Sequence, residues 1–166
     1  MKSSIQLRPW RAGDFQRLAR LGGQLSPETL RRRFWTGMPE LPQSYVRSIE
    51  RRWPHDWDGV VAIRDGRLVG WAEFGRNSPG SGDADAAFAV IDAEQGRGIG
   101  TALMRALVAH AAHAGVVTLH ADIGTDNTPA LRAWQRATNG LPTAMTLSAD
   151  GYRGTIRVPA AMAHVA

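Results

Sequence analysis

The stretch Gln95-Gly96-Arg97-Gly98-Ile99-Gly100-Thr101, called the glycine turn below, stands between a strand-like segment and the longest helical pattern of the chain. The first amides of a helix have no partner inside the helix, and the helix dipole is positive at that end. Glycine keeps such amides accessible, because it has no side chain to hold an anion at a distance. The stretch therefore predicts a pyrophosphate-binding turn, although a turn that only packs a helix on a strand would look similar.

The segments around the glycine turn indicate an α/β fold. Strand patterns, either alternating or continuously apolar, are found at 5–9, 59–63, 68–74, 84–91, 116–119, 144–147 and 154–158. Helical patterns are found at 12–21, 26–35, 99–111 and 130–137, with a short helical piece at 43–51. The predicted architecture is one domain, 1–166, with a mixed central sheet of about seven strands flanked by about four helices.

Composition limits the function classes. The chain of 166 residues is long enough for one hydrophobic core, and it contains no cysteine, which excludes disulfides and thiolate metal sites. Nothing else in the composition argues for a metal. The chain has no apolar window long enough to cross a membrane and no signal-peptide pattern, so we expect a cytoplasmic location and no membrane partner.

The net charge of +5 comes almost entirely from arginine, since Lys2 is the only lysine. A basic chain attracts polyanions in general, and coenzyme A is one of them. Nucleic acid is not expected as the main ligand, because no aromatic-plus-basic recognition module is visible. Two other phosphate-binding patterns fit less well: the dinucleotide fingerprint has a different glycine spacing, and the NTPase loop requires a lysine after its last glycine.

The glycine turn and its flanks resemble the Gcn5-related N-acetyltransferase (GNAT) family. Its first six residues match the family signature Gln/Arg-x-x-Gly-x-Gly/Ala, with Phe88-Ala89-Val90 ahead of it and Thr101-Ala102-Leu103-Met104 at its end. Asn127-Thr128-Pro129-Ala130 stands before a helix, where the family has its second cofactor motif. The resemblance implies an acetyl-CoA-dependent N-acetyltransferase with two splayed central strands.

The resemblance also implies how the coenzyme would bind. Backbone groups of the strand before the turn would pair with the pantetheine arm, and the amides of the turn would hold the pyrophosphate, with Arg97 adding positive charge. Asn127 would contact the coenzyme near its thiol end, and it could also cap the helix. The residues implied to bind the cofactor are Ala87, Phe88, Ala89, Val90, Gln95, Gly96, Arg97, Gly98, Ile99, Gly100, Thr101, Asn127, Ala130 and Trp134.

Two carboxylates are candidates for the catalytic base. Asp85 lies in Ala84-Asp85-Ala86-Ala87-Phe88, where a group of bacterial protein-lysine acetyltransferases in the family has Ala-Glu-x-Ala-Phe with glutamate as the proposed base. Aspartate is shorter, so it would act through a water, unless it is an ordinary carboxylate at a strand edge. Glu73, on the preceding strand, would lie near the substrate groove or face solvent. His120 is a weaker candidate.

The clearest departure from the family is at Trp134. Many relatives have Asn-x-x-Ala-x-x-Leu-Tyr, in which the tyrosine protonates the leaving thiolate. Here Ala133 and Trp134 occupy the last two positions, and an indole N–H has no usable acid pKa. Water or another group would supply that proton, or the thiolate would leave unassisted.

The acceptor is expected to be a primary amine, with protein lysine as one candidate, bound by the N-terminal helices and the loops at 53–57 and 75–83. Asp56 and Asp58, with Trp53 and Trp57, could receive a cationic amine, although a surface loop with a buried tryptophan explains them as well. Two alternatives remain open: an acyl-CoA-binding sensor that has lost its chemistry, and a small-molecule (antibiotic or polyamine) acetyltransferase. The strand at 154–158 could lie at an exposed sheet edge, which would allow a monomer or a homodimer.

Overall fold

The strands and helices follow the predicted order closely. A computed structural model describes residues 4–160, so the two ends of the predicted domain, 1–3 and 161–166, lie outside the described residues. The strands are β1 (Gln6–Pro9), β2 (Trp57–Arg64), β3 (Arg67–Arg76), β4 (Asp83–Val90), β5 (Thr118–Gly124), β6 (Thr143–Leu147) and β7 (Gly151–Arg157). The helices are α1 (Asp14–Ala19), α2 (Pro27–Phe34), α3 (Gln43–Arg52), α4 (Ile99–His113) and α5 (Thr128–Ala137).

All seven strands of residues 4–160 form one mixed sheet in the order β1-β2-β3-β4-β5-β7-β6. The pair β4 and β5 is parallel, and the other neighbours are antiparallel. The predicted α/β class and the seven strands are thus confirmed. The described residues contain five helices rather than about four, because the short piece predicted at 43–51 is the full helix α3.

The parallel pair at the centre of the sheet separates along its length. β4 and β5 are in register only where 83–85 faces 118–120. Beyond that point β4 remains paired with β3, up to Val90 opposite Gly70, but it has no partner on its other side. The predicted splay of the central strands is therefore present, and it leaves a row of backbone N–H and C=O groups on β4 free to bind something other than a strand.

Helices cover the two faces of the sheet unequally. α4 lies on one face, where its Leu103 side chain approaches Gly70 of β3. α5 covers the same face further along, with Trp134 against Gly154 of β7. α2 and α3 send Arg33 and other side chains to the opposite face of β3. None of the described helices, 4–160, is long and apolar enough to span a bilayer.

Two strand predictions differ from the structure. β5 runs to Gly124 rather than ending at 119, so His120 lies inside the strand. Its polar residues His120 and Asp122 alternate with buried Leu119 and Ala121, so this part of the strand does not form the continuous apolar run from which the strand was predicted. The edge strands within residues 4–160 are β1 and β6, whereas β7 lies between β5 and β6. All residues of β6 are exposed. The prediction of an edge at 154–158 was wrong.

Candidate functional site

A cleft of about 520 Å³ opens where β4 and β5 separate, a volume typical of small-molecule sites. Its walls come from β4, the glycine turn with the start of α4, β5, α5 and one side of α2. Every cofactor residue predicted from the sequence lines this cleft except Arg97. Those that line it are Ala87, Phe88, Ala89, Val90, Gln95, Gly96, Gly98, Ile99, Gly100, Thr101, Asn127, Ala130 and Trp134.

The glycine turn presents unpaired amides at the open end of the cleft. Gly96 and Gly98 have φ angles of 72° and 79°, in the left-handed region that glycine adopts without strain. The first amide of α4 with a backbone partner belongs to Ala102, which donates to the Gly98 carbonyl at 3.1 Å. Within residues 4–160, the amides from Gly96 to Thr101 have no recorded acceptor. Such a row of amides at a helix N-terminus is an anion-binding site.

The amide of Gln95 is not part of this row, in contrast to the prediction. It donates to the Asp92 carbonyl at 3.3 Å. The side chain of Gln95 instead donates to the Val90 carbonyl at 2.9 Å and to the Thr29 hydroxyl at 3.1 Å. Gln95 therefore fixes the turn against β4 and α2.

The third glycine of the signature has a packing role. A Cβ atom at Gly100 would lie 2.7 Å from Cε2 of Phe88, a distance that ordinary side-chain packing does not allow. Glycine at this position lets α4 lie directly on β4. The two interpretations of the turn therefore apply to different glycines: Gly96 and Gly98 shape the anion site, and Gly100 allows close helix–strand contact.

Arg97, whose charge was predicted to assist coenzyme binding, does not line the cleft. Its guanidinium lies 3.4 Å from the carboxylate of Glu94. The same carboxylate is held by Arg64 at 2.6 Å. Arg97 is thus paired with Glu94, a residue that itself lines the cleft.

Helix α2 also lines the cleft, with Thr29, Arg32 and Arg33, and this contribution was not predicted from the sequence. The helix is fastened beside the glycine turn, because the Ser26 amide and the Thr29 hydroxyl both donate to Asp92, at 3.1 and 2.9 Å. Burial alone would raise the pKa of Asp92, but these hydrogen bonds outweigh it and lower that pKa. Nothing in the local pattern of α2 signals this contact, because its partners lie more than sixty residues away.

Glu73 is buried, with 6% of its surface exposed, and it does not line the cleft. Its carboxylate accepts hydrogen bonds from Trp57 Nε1 at 3.1 Å, from Trp71 Nε1 at 2.6 Å and from the Tyr45 hydroxyl, and it pairs with Arg33 at 2.8 Å. Burial and the Glu73 charge raise the pKa of Tyr45 well above its usual value, so this hydroxyl stays protonated. Burial would lower the pKa of Arg33, but Glu73 and Tyr45 outweigh it and raise that pKa.

Asp85 lies at the narrow end of the cleft, one residue before the lining begins at Ala86. Its side chain is 59% exposed and lies 3.4 Å from Arg153, which also holds Asp122 at 2.8 Å. Hydrogen bonding to Asp122 is the main reason that the pKa of Arg153 is raised. His120 is the register partner of Asp85 on β5, and its Nδ1 lies 3.1 Å from the hydroxyl of Thr155. Arg153 and Asp122 are site residues that the sequence analysis did not identify.

The start of α5 forms the remaining wall. The Asn127 side chain accepts a hydrogen bond from the Ala130 amide at 3.3 Å, so it caps the helix while lining the cleft. Trp134 is 3% exposed, and its ring lies so close to Gly154 that a Cβ there would be 2.5 Å away. The indole is thus fixed as an apolar wall of the cleft.

The aromatic loop suggested as a cation site lies elsewhere. Trp57 is 1% exposed in the core, and Asp58 accepts a hydrogen bond from Trp53 Nε1 at 3.1 Å and contacts His110 at 2.8 Å. None of these residues lines the cleft. The interpretation of this loop as surface structure with a buried tryptophan fits the observed contacts.

The site thus combines two structural features. Two parallel strands separate, and unpaired helix amides lie at the open end of the gap between them. Residues 27–138 match the model of the Acetyltransferase (GNAT) family. The chain belongs to this family.

Two curated proteins similar to this chain are acetyltransferases by name. The chain is 33% identical over 126 residues to acetyltransferase Pat of Mycolicibacterium smegmatis, covering 73% of this chain and 37% of Pat. It is 32% identical over 104 residues to mycothiol acetyltransferase of Brachybacterium faecium, covering 58% of this chain and 31% of that protein. The chain therefore spans about a third of the length of these curated relatives.

A solved structure agrees with the fold. The crystal structure of the GNAT domain of S. lividans PAT superposes with a TM-score of 0.80 at 24% identity, covering 92% of this chain and 90% of that chain. At this level of identity the likeness shows the shared fold. The predicted resemblance to the GNAT family is thereby confirmed.

Proposed function

We propose that this chain moves an acetyl group from acetyl-CoA to a primary amine, and that the acceptor is a lysine side chain of a protein. One observation carries the proposal: a single cleft has unpaired amides at its open end, an unpaired strand edge along its length and an exposed carboxylate at its narrow end. Acetyl-CoA presents a pyrophosphate, a pantetheine arm with two amides and a thioester in the same order.

Each part of the cleft binds a different group of acetyl-CoA. The amides between Gly96 and Thr101 bind the pyrophosphate, and the free edge of β4 after Asp85 pairs with the pantetheine amides. The thioester then lies near Ala86, where the two strands meet. Asn127 and Trp134 hold the arm from the side of α5.

At the narrow end, transfer requires a neutral amine. The amine nitrogen forms a bond to the thioester carbon, the carbon–sulfur bond breaks, and coenzyme A leaves as a thiolate. Asp85 accepts the proton of the amine through a water, because its side chain is short. We assign this role to Asp85 rather than Glu73, whose oxygens already accept several hydrogen bonds. A solvent water protonates the thiolate, since Trp134 has no acidic proton and a thiol pKa lies near 8.5.

The choice of a lysine acceptor rests on sequence motifs around α2 and on β4. Leu25-Ser26-Pro27-Glu28 and Arg33-Phe34 in and before α2 are similar to the bacterial protein-lysine acetyltransferases, as is the position of Asp85. A second candidate function is an acyl-CoA sensor without turnover. It is favoured by one observation, the buried Trp134 at the position where many relatives have an acidic tyrosine.

Asp85→Asn is expected to lower kcat for acetylation of a lysine peptide by about 100-fold or more, since it removes a general base. The affinity for acetyl-CoA should stay within about twofold, because Asp85 lies just beyond the narrow end of the cleft, whose lining on β4 begins at Ala86. The measurement is the initial rate of coenzyme A release with lysine peptides, polyamines and aminoglycosides as acceptors.

Asp83→Asn is the matched control, because Asp83 is an exposed carboxylate two positions away on the same face of β4. It should leave the rate unchanged. Equal rates for wild type and Asp85→Asn would remove Asp85 from the mechanism. Binding of acetyl-CoA without turnover on any amine would favour the sensor.

A further inference from the structure

Arginines line the cleft on α2 and on α5, and among the described residues only those on α2 are paired with carboxylates. On α2, Arg32 and Arg33 each pair with a glutamate, at 3.0 and 2.8 Å. On α5, Arg132 and Arg136 also line the cleft, but neither has an ion-pair partner within residues 4–160. Both are exposed, and α5 contains no acidic residue. This side of the cleft therefore carries uncompensated positive charge.

The spacing of the two arginines suits a single anion. Arg132 and Arg136 are four residues apart, so they lie one above the other on the same side of the helix. Without a counter-charge, two like charges at this spacing slightly destabilise a helix. A phosphate between them would remove that repulsion and accept charge-assisted hydrogen bonds from both guanidinium groups.

The position of these arginines relative to the glycine turn identifies which phosphate they can reach. Arg105, on the second turn of α4, donates to the Arg136 carbonyl at 3.0 Å. The Arg105 side chain therefore joins the end of α5 to α4 one helical turn beyond Thr101, and Thr101 lines the same cleft as Arg132 and Arg136. In coenzyme A, one ribose ring separates the pyrophosphate from the phosphate on its 3′ oxygen.

We infer that Arg132 and Arg136 bind the 3′-phosphate of coenzyme A and make the chain select coenzyme A over dephospho-CoA, which lacks only that phosphate. The inference rests on the proposed function, since it assumes a pyrophosphate at the glycine turn. Beyond that function, the inference names the 3′-phosphate as the group that α5 recognises. It also gives a role to the charges of Arg132 and Arg136, which take no part in acetyl transfer.

The test is calorimetric titration of wild type and of the Arg132→Ala/Arg136→Ala double variant with coenzyme A and with dephospho-CoA. Wild type should bind coenzyme A about tenfold more tightly than dephospho-CoA, an estimate that allows for solvent exposure of the arginines. The double variant should lose this preference by weakening coenzyme A binding alone. Its affinity for dephospho-CoA should stay within about twofold of wild type.

Arg47→Ala/Arg51→Ala is the matched control. These two arginines are also exposed and four residues apart, on α3, so the change in net charge and spacing is the same. The control should keep the preference, which separates a local contact from general attraction of a basic chain for an anion.

Equal binding of the two ligands by wild type, or an equal loss for both in the double variant, would overturn the inference while leaving the coenzyme site in place. Wild type that binds neither ligand would instead contradict the proposed function. The two failures are thus distinguishable in one set of titrations.

Discussion

Gly98→Asp is expected to weaken acetyl-CoA binding by about 100-fold more than Gly98→Asn does. Gly98 has a φ of 79°, and asparagine and aspartate are the side chains that best tolerate this region. A Cβ atom at Gly98 would meet nothing within 4 Å, so neither variant has a steric clash at this atom. Aspartate adds a negative charge among the free amides, where repulsion of a pyrophosphate a few ångströms away amounts to about 3 kcal/mol.

Because the asparagine variant has nearly the same shape, the pair isolates charge from backbone strain. Affinity for acetyl-CoA is measured by calorimetry, and the melting temperatures of the two variants should agree within a few degrees. If aspartate and asparagine reduce the affinity equally, no pyrophosphate lies at this turn.

Glu73→Gln is expected to reduce the free energy of unfolding by about 3–5 kcal/mol, since it leaves the buried Arg33 without a counter-charge. The new amide group also directs its own N–H donors at the donors of Trp57, Trp71 or Tyr45, which cannot all be satisfied. For a chain of this size the loss corresponds to a melting temperature lower by roughly 6–20 °C. Thermal unfolding followed by circular dichroism measures it.

Glu50→Gln is the control, because Glu50 is an exposed glutamate on α3. Its melting temperature should change by no more than about 2 °C. A Glu73→Gln protein that melts like wild type but no longer turns over would show that Glu73 acts in catalysis and that its buried contacts are not its main role.

Features of the fold that depend only on neighbouring residues could be predicted from the sequence. Ser26 caps α2 by accepting a hydrogen bond from the Thr29 amide, and Asp65-Gly66 forms the tight turn between β2 and β3 with positive φ at both residues. Both features depend on neighbouring residues, so the sequence alone was enough. The glycine turn is of the same kind, since positive φ and free amides are local properties.

Features that depend on distant residues were not predictable from the same patterns. Glu73 was expected near the substrate groove or in solvent, but its partners come from α2, α3 and β2 as well as its own strand. Arg153 on β7 pairs with Asp85 on β4, although β5 lies between the two strands. This ion pair depends on the order of the strands in the sheet, which local sequence patterns do not predict. The packing of α2 and α3 on the sheet decided the first feature, and the order of the strands decided the second.

The most direct test of the account is calorimetric titration of the purified chain with acetyl-CoA, with NADH as a second nucleotide that also contains a pyrophosphate. Acetyl-CoA is expected to bind at one site with a Kd of about 1–100 μM, and NADH is expected to give no measurable heat. Absence of acetyl-CoA binding, or equal binding of NADH, would contradict the claim that the cleft between β4 and β5 is an acyl-CoA site.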